Sequence, residues 1–159
     1  TAGGILPDIV LTDTQKLDIT YNLYRDHMCF DYATIYHREH ATITDAEHFC
    51  ITDDDIENFC QFLAEKKFSY ETETGRYLGE LIKMAQQEDI DSTLLAELEA
   101  FKPRLTVDYR AAIQRHREEV EEILGGEIVK RYYYHRGYYA YILRYDKELK
   151  RAIEEISRR

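Results

Sequence analysis

Residues 12–35 read Thr12-Asp-Thr14-Gln-Lys-Leu17-Asp-Ile-Thr-Tyr21-Asn-Leu-Tyr24-Arg-Asp-His-Met28-Cys-Phe-Asp-Tyr32-Ala-Thr-Ile35. Leu17, Tyr21, Tyr24, Met28, Tyr32 and Ile35 recur at the i, i+4, i+7, i+11 spacing of one helical face, behind N-cap oxygens at Thr12–Thr14. The spacing predicts a helix of about six turns. The same rhythm governs most of the chain beyond Ile35. Thr44 to Glu47 has the form of a capping box and predicts one turn before Phe49. Thr52-Asp53-Asp54-Asp55 caps a helix that turns Ile56, Phe59, Cys60 and Leu63 to one side. Its aspartates read as capping and solvation, because an EF-hand loop counted from Asp53 would meet Asn58 and Ala64 where Gly and Glu are required.

A further helix is expected from about Glu71 to Glu88, burying Tyr77, Leu78, Leu81, Ile82 and Ala85. The next opens at Asp91 or Ser92 and keeps its phase through Leu94, Leu98, Phe101, Leu105, Tyr109 and Ala112 to Val120 and Ile123, with a kink or short break at Pro103. Gly125-Gly126 predicts a second joint, since each glycine costs about 1 kcal/mol relative to alanine in mid-helix. The last helix is expected from about Glu127 to Ser157, with Ile128, Tyr132, Tyr139, Ile142, Leu149, Ile153 and Ile156 along one side. With 7 Gly and 2 Pro in 159 residues, turn formers are too few for a β-sandwich or barrel. The fold class is all-α, an irregular multi-helix bundle preceded by a short extended segment at residues 1–11. Residues 1–11 read as a loop and edge strand whose ladder partners lie upstream, and 12–159 as the helical domain. The chain opens on Thr1 and is expected to lack its natural beginning.

Charge narrows the function. The 21 Lys+Arg against 31 Asp+Glu give −10 and a pI near 5.1, which disfavours a nucleic-acid partner. No apolar run approaches the ~18 residues of a membrane span. Three cysteines, Cys29, Cys50 and Cys60, fit no zinc or redox spacing and read as buried free thiols, with one disulfide plus a spare thiol as the alternative. His37 and His40 share a helix face but lack a third ligand, so no metal and no cofactor is expected. Ser69, Ser92 and Ser157 stand at helix edges outside any nucleophile motif.

The most unusual stretch is Arg131-Tyr-Tyr-Tyr134-His-Arg-Gly137-Tyr138-Tyr-Ala-Tyr141-Ile-Leu-Arg-Tyr145, with seven tyrosines in fifteen residues. Projected on a helix, Tyr134, Tyr138, Tyr141 and Tyr145 form one stripe, and Gly137 leaves a slim patch beside it. One helix cannot bury every ring in a single core. The stripe is therefore a candidate protein-contact surface, and amphipathic core tyrosines whose hydroxyls reach water are the alternative.

Gly4-Ile5-Leu6-Pro7-Asp8-Ile9 resembles the Gly-Ile-x-Pro-Asp-Ile motif that ends the catalytic core of carboxyl-terminal processing (tail-specific) serine peptidases. Ile51-Thr-Asp-Asp-Asp-Ile56, Phe68-Ser-Tyr-Glu-Thr-Glu-Thr74 and Glu127-Ile-Val-Lys-Arg-Tyr-Tyr-Tyr134 with Gly137 are similar to the helical extension after that core in Bacteroides-like members. The resemblance implies a non-catalytic C-terminal domain that supports assembly, core stability or substrate access. Its parent would be a serine endopeptidase with a Ser/Lys dyad upstream of residue 1, located in the periplasm or cell envelope. No catalytic residue carries over. The implied partners are the upstream peptidase core, the parent's protein or peptide substrates and a homo-oligomer. A stand-alone helical interaction module is the alternative.

Overall fold

The computed structural model describes residues 18–70, 72–105 and 107–158, together with Ile9. These form an all-α multi-helix bundle, with no strand among the described residues. The expected extended segment at 1–11 lies, Ile9 apart, outside them.

The opening periodicity yields two helices, α1 (Asp18–Arg25) and α2 (Met28–Glu39). His27 breaks the run at φ 56°, in the left-handed region that His tolerates better than most residues. Arg25 and Asp26 pair beside it at 2.7 Å. The break changes the buried phase. In α1 the core-facing residues are Ile19 and Leu23, while Tyr21 and Tyr24 of the expected stripe are exposed. After the break, Cys29, Tyr32, Ala33 and Tyr36 face inward. A turn at Ala46–His48 stands where the Thr44 box was expected, held by Asp45 accepting from the His48 amide at 3.1 Å.

Helix α3 (Asp53–Glu65) starts as its sequence predicts. Thr52 Oγ1 accepts from the Asp55 amide at 3.1 Å while Asp55 accepts from the Thr52 amide at 2.8 Å, satisfying two orphan donors reciprocally. Ile56, Phe59, Cys60, Phe62 and Leu63 are buried. Tyr32 lies between two of those rings, 5.2 Å from Phe59 and 5.5 Å from Phe62.

Helices α4 (Glu73–Gln87) and α5 (Ser92–Phe101) form an arm that packs chiefly on itself and on the 3-10 turn Lys102–Leu105. Among the described residues, Ile82 and Ala85 are its only fully buried apolar side chains. Tyr77 and Leu81, expected inside, are exposed, because α4 has one layer to pack on rather than two. Pro103 interrupts the long helix as expected, and His116 divides the segment after it into α6 (Tyr109–Arg115) and α7 (Arg117–Ile142). Helix α8 (Lys147–Ser157), capped by Asp146 on the Leu149 amide at 2.8 Å, buries none of its residues fully. Leu149, Ile153 and Ile156 are exposed, as is Tyr139 before them, so of the side expected along the last helix Ile128 is fully buried and Tyr132 and Ile142 partly so.

Gly125-Gly126 is no joint. Both residues lie inside α7, and both are buried. The break comes at Tyr134, whose φ 55°, ψ −156° is incompatible with a helix.

Candidate functional site

On a continuous rod, residues 121 and 141 would stand about 30 Å apart at 1.5 Å per residue. Yet the Tyr141 hydroxyl donates to the Glu121 carbonyl at 2.9 Å. Helix α7 therefore folds back on itself at Tyr134, and its arms, 117–133 and 135–142, lie antiparallel.

Glycines make this possible by being small. A Cβ on Gly125 would overlap the Tyr141 hydroxyl and ring, and one on Gly137 would overlap the Tyr133 Cβ. One on Gly126 would stand 3.0 Å from Tyr138 Cε2. None of these glycines has a positive φ. The chain thus uses glycine for space inside helices and places a tyrosine at the one hairpin position whose backbone glycine would prefer.

The tyrosine hydroxyls answer a separate requirement. Residues 40–52 connect α2 to α3 without a regular hydrogen-bond ladder, leaving carbonyls that need donors. Tyr132 donates to the His40 carbonyl at 2.5 Å. Tyr133 donates to those of Ile43 at 3.2 Å and Thr44 at 3.1 Å. Arg144 clamps the far end, donating to Phe49 at 2.8 Å and to the Ala46 and Glu47 carbonyls. Tyr32 and Tyr109 reach carbonyls inside α3 instead, those of Asp55 and Cys60, each at 3.4 Å. A tyrosine here is a packed ring, from buried Tyr32 to the more exposed Tyr133, carrying a donor to a main-chain carbonyl.

The four tyrosines of the stripe, and Gly137 beside it, are spread apart by the hairpin. Tyr134 is 77% exposed at the tip, Gly137 is buried between the arms, and Tyr141 is wholly buried. Tyr138 is half-buried with Lys130 5.8 Å above its ring, and Tyr145 shares a 3.1 Å hydrogen bond with Tyr141. Burial pushes the Tyr141, Tyr32 and Tyr138 phenols upward, and Tyr36 up to about 12.

Ser92 opens α5, Ser157 closes α8 and Ser69 is exposed in the loop before α4. Among the described residues no hydrogen bond joins a serine hydroxyl to a lysine or histidine. His40 stacks on Tyr36 at 4.0 Å and His37 leans on Tyr132 at 4.6 Å. The His37 ring thus packs across α2 and α7, while the His40 ring closes the end of α2 and the His40 carbonyl meets α7.

A model for one family, described as the C-terminal helical domain of a probable PDZ-protease, matches residues 19–156. The chain belongs to that family. No curated protein and no solved structure compared with it matches. The matched span of this PDZ-protease helical domain takes in the α7 hairpin, the connection it clamps, the α4–α5 arm and nearly all of α8.

A cleft and the exposure of one thiol were not legible in the sequence. A cleft of about 280 Å³ opens between the α1–α2 break and the hairpin, lined by Leu23, Tyr24, Phe30, Ile123, Glu127 and Lys130 among others. All three thiols are free, and Cys29 and Cys60 are buried, but Cys50 is exposed with its sulfur 3.6 Å from Arg144. Cys50 corrects the expectation of three buried thiols: it follows Phe49, whose ring faces inward and turns its neighbour outward. Burial raises the Cys29 and Cys60 thiols.

Proposed function

We propose that this domain is the non-catalytic C-terminal part of a carboxyl-terminal processing serine endopeptidase of the periplasm or cell envelope. Its catalytic serine and lysine would precede residue 1. The observation that carries the reading is the family match over 19–156, which agrees with the Pro-Asp motif at Gly4–Ile9. Within that reading the domain supports the peptidase core or its assembly. The tight α2–α3–α7 body supplies a rigid mount, and the arm and α8 offer the apolar side chains Tyr77, Leu81, Met84, Ile153 and Ile156 for a neighbour to cover. Protein or peptide substrates of the parent are the corresponding ligands.

A serine-directed fluorophosphonate probe tests this reading on two samples, the isolated chain and the longer natural polypeptide that contains it. Labelling is expected on the longer polypeptide at a serine preceding residue 1, and none on the isolated chain. Labelling of Ser69, Ser92 or Ser157 would overturn the proposal, and so would a longer polypeptide that takes up no label while an authentic serine peptidase does.

A further inference from the structure

The tip of the α7 hairpin joins three properties that are separate elsewhere in the molecule. The first is charge. Residues 128–145 contain Lys130, Arg131, Arg136 and Arg144 and no Asp or Glu, within a chain of net charge −10. Lys130 and Arg131 are engaged with Glu127 at the base of the hairpin, and Arg144 with the 46–49 carbonyls. Arg136, exposed beside the tip, makes no ion pair or hydrogen bond among the described residues.

The second is aromatic exposure. Tyr134 and Tyr139 are 77% and 61% exposed, and His135 is exposed as well. In the second arm, Tyr139 follows His135 by four residues and Arg136 by three, so these side chains are neighbours on one helical surface. The third is backbone strain. Tyr134 occupies a region that is essentially reserved for glycine, yet its side chain fills no core and makes no hydrogen bond among the described residues. A strained tyrosine that contributes nothing to packing indicates a use for the side chain itself. The base beneath it is rigid, because Gly125, Gly126 and Gly137 bring the arms into contact.

We propose that Tyr134, His135, Arg136 and Tyr139 form a docking surface for an acidic polypeptide segment. Arg136 pairs with a carboxylate of that segment, and the two rings cover the flanking main chain and aliphatic stems. Tyrosine and arginine are enriched in such contacts because they present large, stiff surface with polar ends. A nucleic acid would offer the same anionic chemistry, but the field of the −10 chain opposes a polymer with a charge at every residue more strongly than a short acidic segment. Asp45, on the connection that Tyr133 reaches, is already paired with His48 at 2.7 Å. The proposal goes beyond the peptidase reading and does not depend on it.

Fluorescence anisotropy with a labelled ten-residue peptide of alternating glutamate and alanine tests the assignment on the full chain. Binding is expected that weakens as salt rises. Arg136→Gln should lower the affinity roughly fivefold, as loss of one exposed ion pair does. Tyr134→Gly is the discriminating variant: relief of strain should raise the thermal midpoint by a few degrees while affinity falls at least about threefold. A merely structural tyrosine would move the midpoint and leave binding alone. Three results would each overturn the proposal. One is no binding at low salt, and another is unchanged affinity in both variants. The third is tighter binding of a ten-nucleotide single-stranded DNA or of a second copy of the chain, the latter seen as Arg136-dependent dimerisation in sedimentation.

Discussion

The α7 hairpin and the α4–α5 arm are both pairs of antiparallel helical segments, and both carry apolar side chains at helical spacing. On the core side of the hairpin's first arm those side chains disappear: Val120, Leu124, Ile128 and Val129 are all fully buried. In the arm, Tyr77, Leu81, Met84, Leu94 and Phe101 keep between 44% and 57% of their surface. The difference lies in what each pair packs against. The hairpin meets α2 along its length and is tied to the 40–49 connection by Tyr132, Tyr133 and Arg144. The arm has its own second helix and a 3-10 turn. Helical periodicity therefore reports that a face wants a partner; it does not say that the partner is in the same chain.

The largest effect should come from cutting the same kind of apolar contact in each region. Ile128→Ala removes a wholly buried side chain and should cost about 2–5 kcal/mol. Leu81→Ala, half-exposed, should cost under about 1 kcal/mol. Urea unfolding of the two variants checks the contrast, and equal losses would mean that the arm is as well packed as the hairpin.

Much of the fold is readable in the sequence, and the failures have physical causes. Thr52 and Asp91 announce their helices because a cap is a local interaction between residues two or three apart. Pro103 announces its break because a proline lacks the donor a helix needs. The hairpin leaves no such signal. No glycine or proline stands at Tyr134, so the sequence reads as one rod, while Gly125-Gly126 reads as the joint although it is the place where two arms touch. Close approach depends on residues sixteen apart, Gly125 and Tyr141, and no local window contains both. The residues projected onto one stripe part with the rod: Tyr141 goes to the core, Tyr134 to the tip and Gly137 between the arms. The tyrosine content is visible, but the purpose of Tyr132 and Tyr133, donors for the carbonyls of the irregular 40–52 connection, requires seeing which carbonyls lack partners.

An intermediate effect should separate glycine as spacer from glycine as joint. At a solvated joint, alanine would stabilise the helix by about 1 kcal/mol. At Gly125 the added methyl meets the Tyr141 ring, which is fully buried and cannot swing aside. Gly125→Ala should therefore cost about 1–3 kcal/mol. Gly126→Ala faces the edge of the half-buried Tyr138, which can yield a few tenths of an ångström, and should fall within about 0.5 kcal/mol of the parent chain. A stabilised Gly125→Ala, measured by thermal unfolding, would restore the joint and remove the folded-back hairpin.

The smallest effects concern single hydroxyls, and here the comparison turns from space to protons. Tyr141→Phe keeps the ring and deletes a donor to a part-buried carbonyl, so the expected cost is about 1 kcal/mol; Tyr139→Phe, on an exposed ring, should cost nothing measurable. Alkaline pH tests the same hydroxyls together. Burial raises Tyr32, Tyr36 and Tyr141 above the ordinary phenol value of 10. Their phenolate forms are therefore favoured in the unfolded chain. Stability is fully present below pH about 10 and falls as pH rises toward the folded-state values, because the unfolded state releases protons that the folded state keeps. Tyrosinate absorbance should rise in two stages, the second coinciding with loss of helical circular dichroism. In Tyr141→Phe that second stage should be smaller and should begin at lower pH, since one buried phenol is gone and the hairpin is already weakened. A single smooth tyrosinate transition with helicity intact would show that these hydroxyls reach solvent without opening the α2–α3–α7 body.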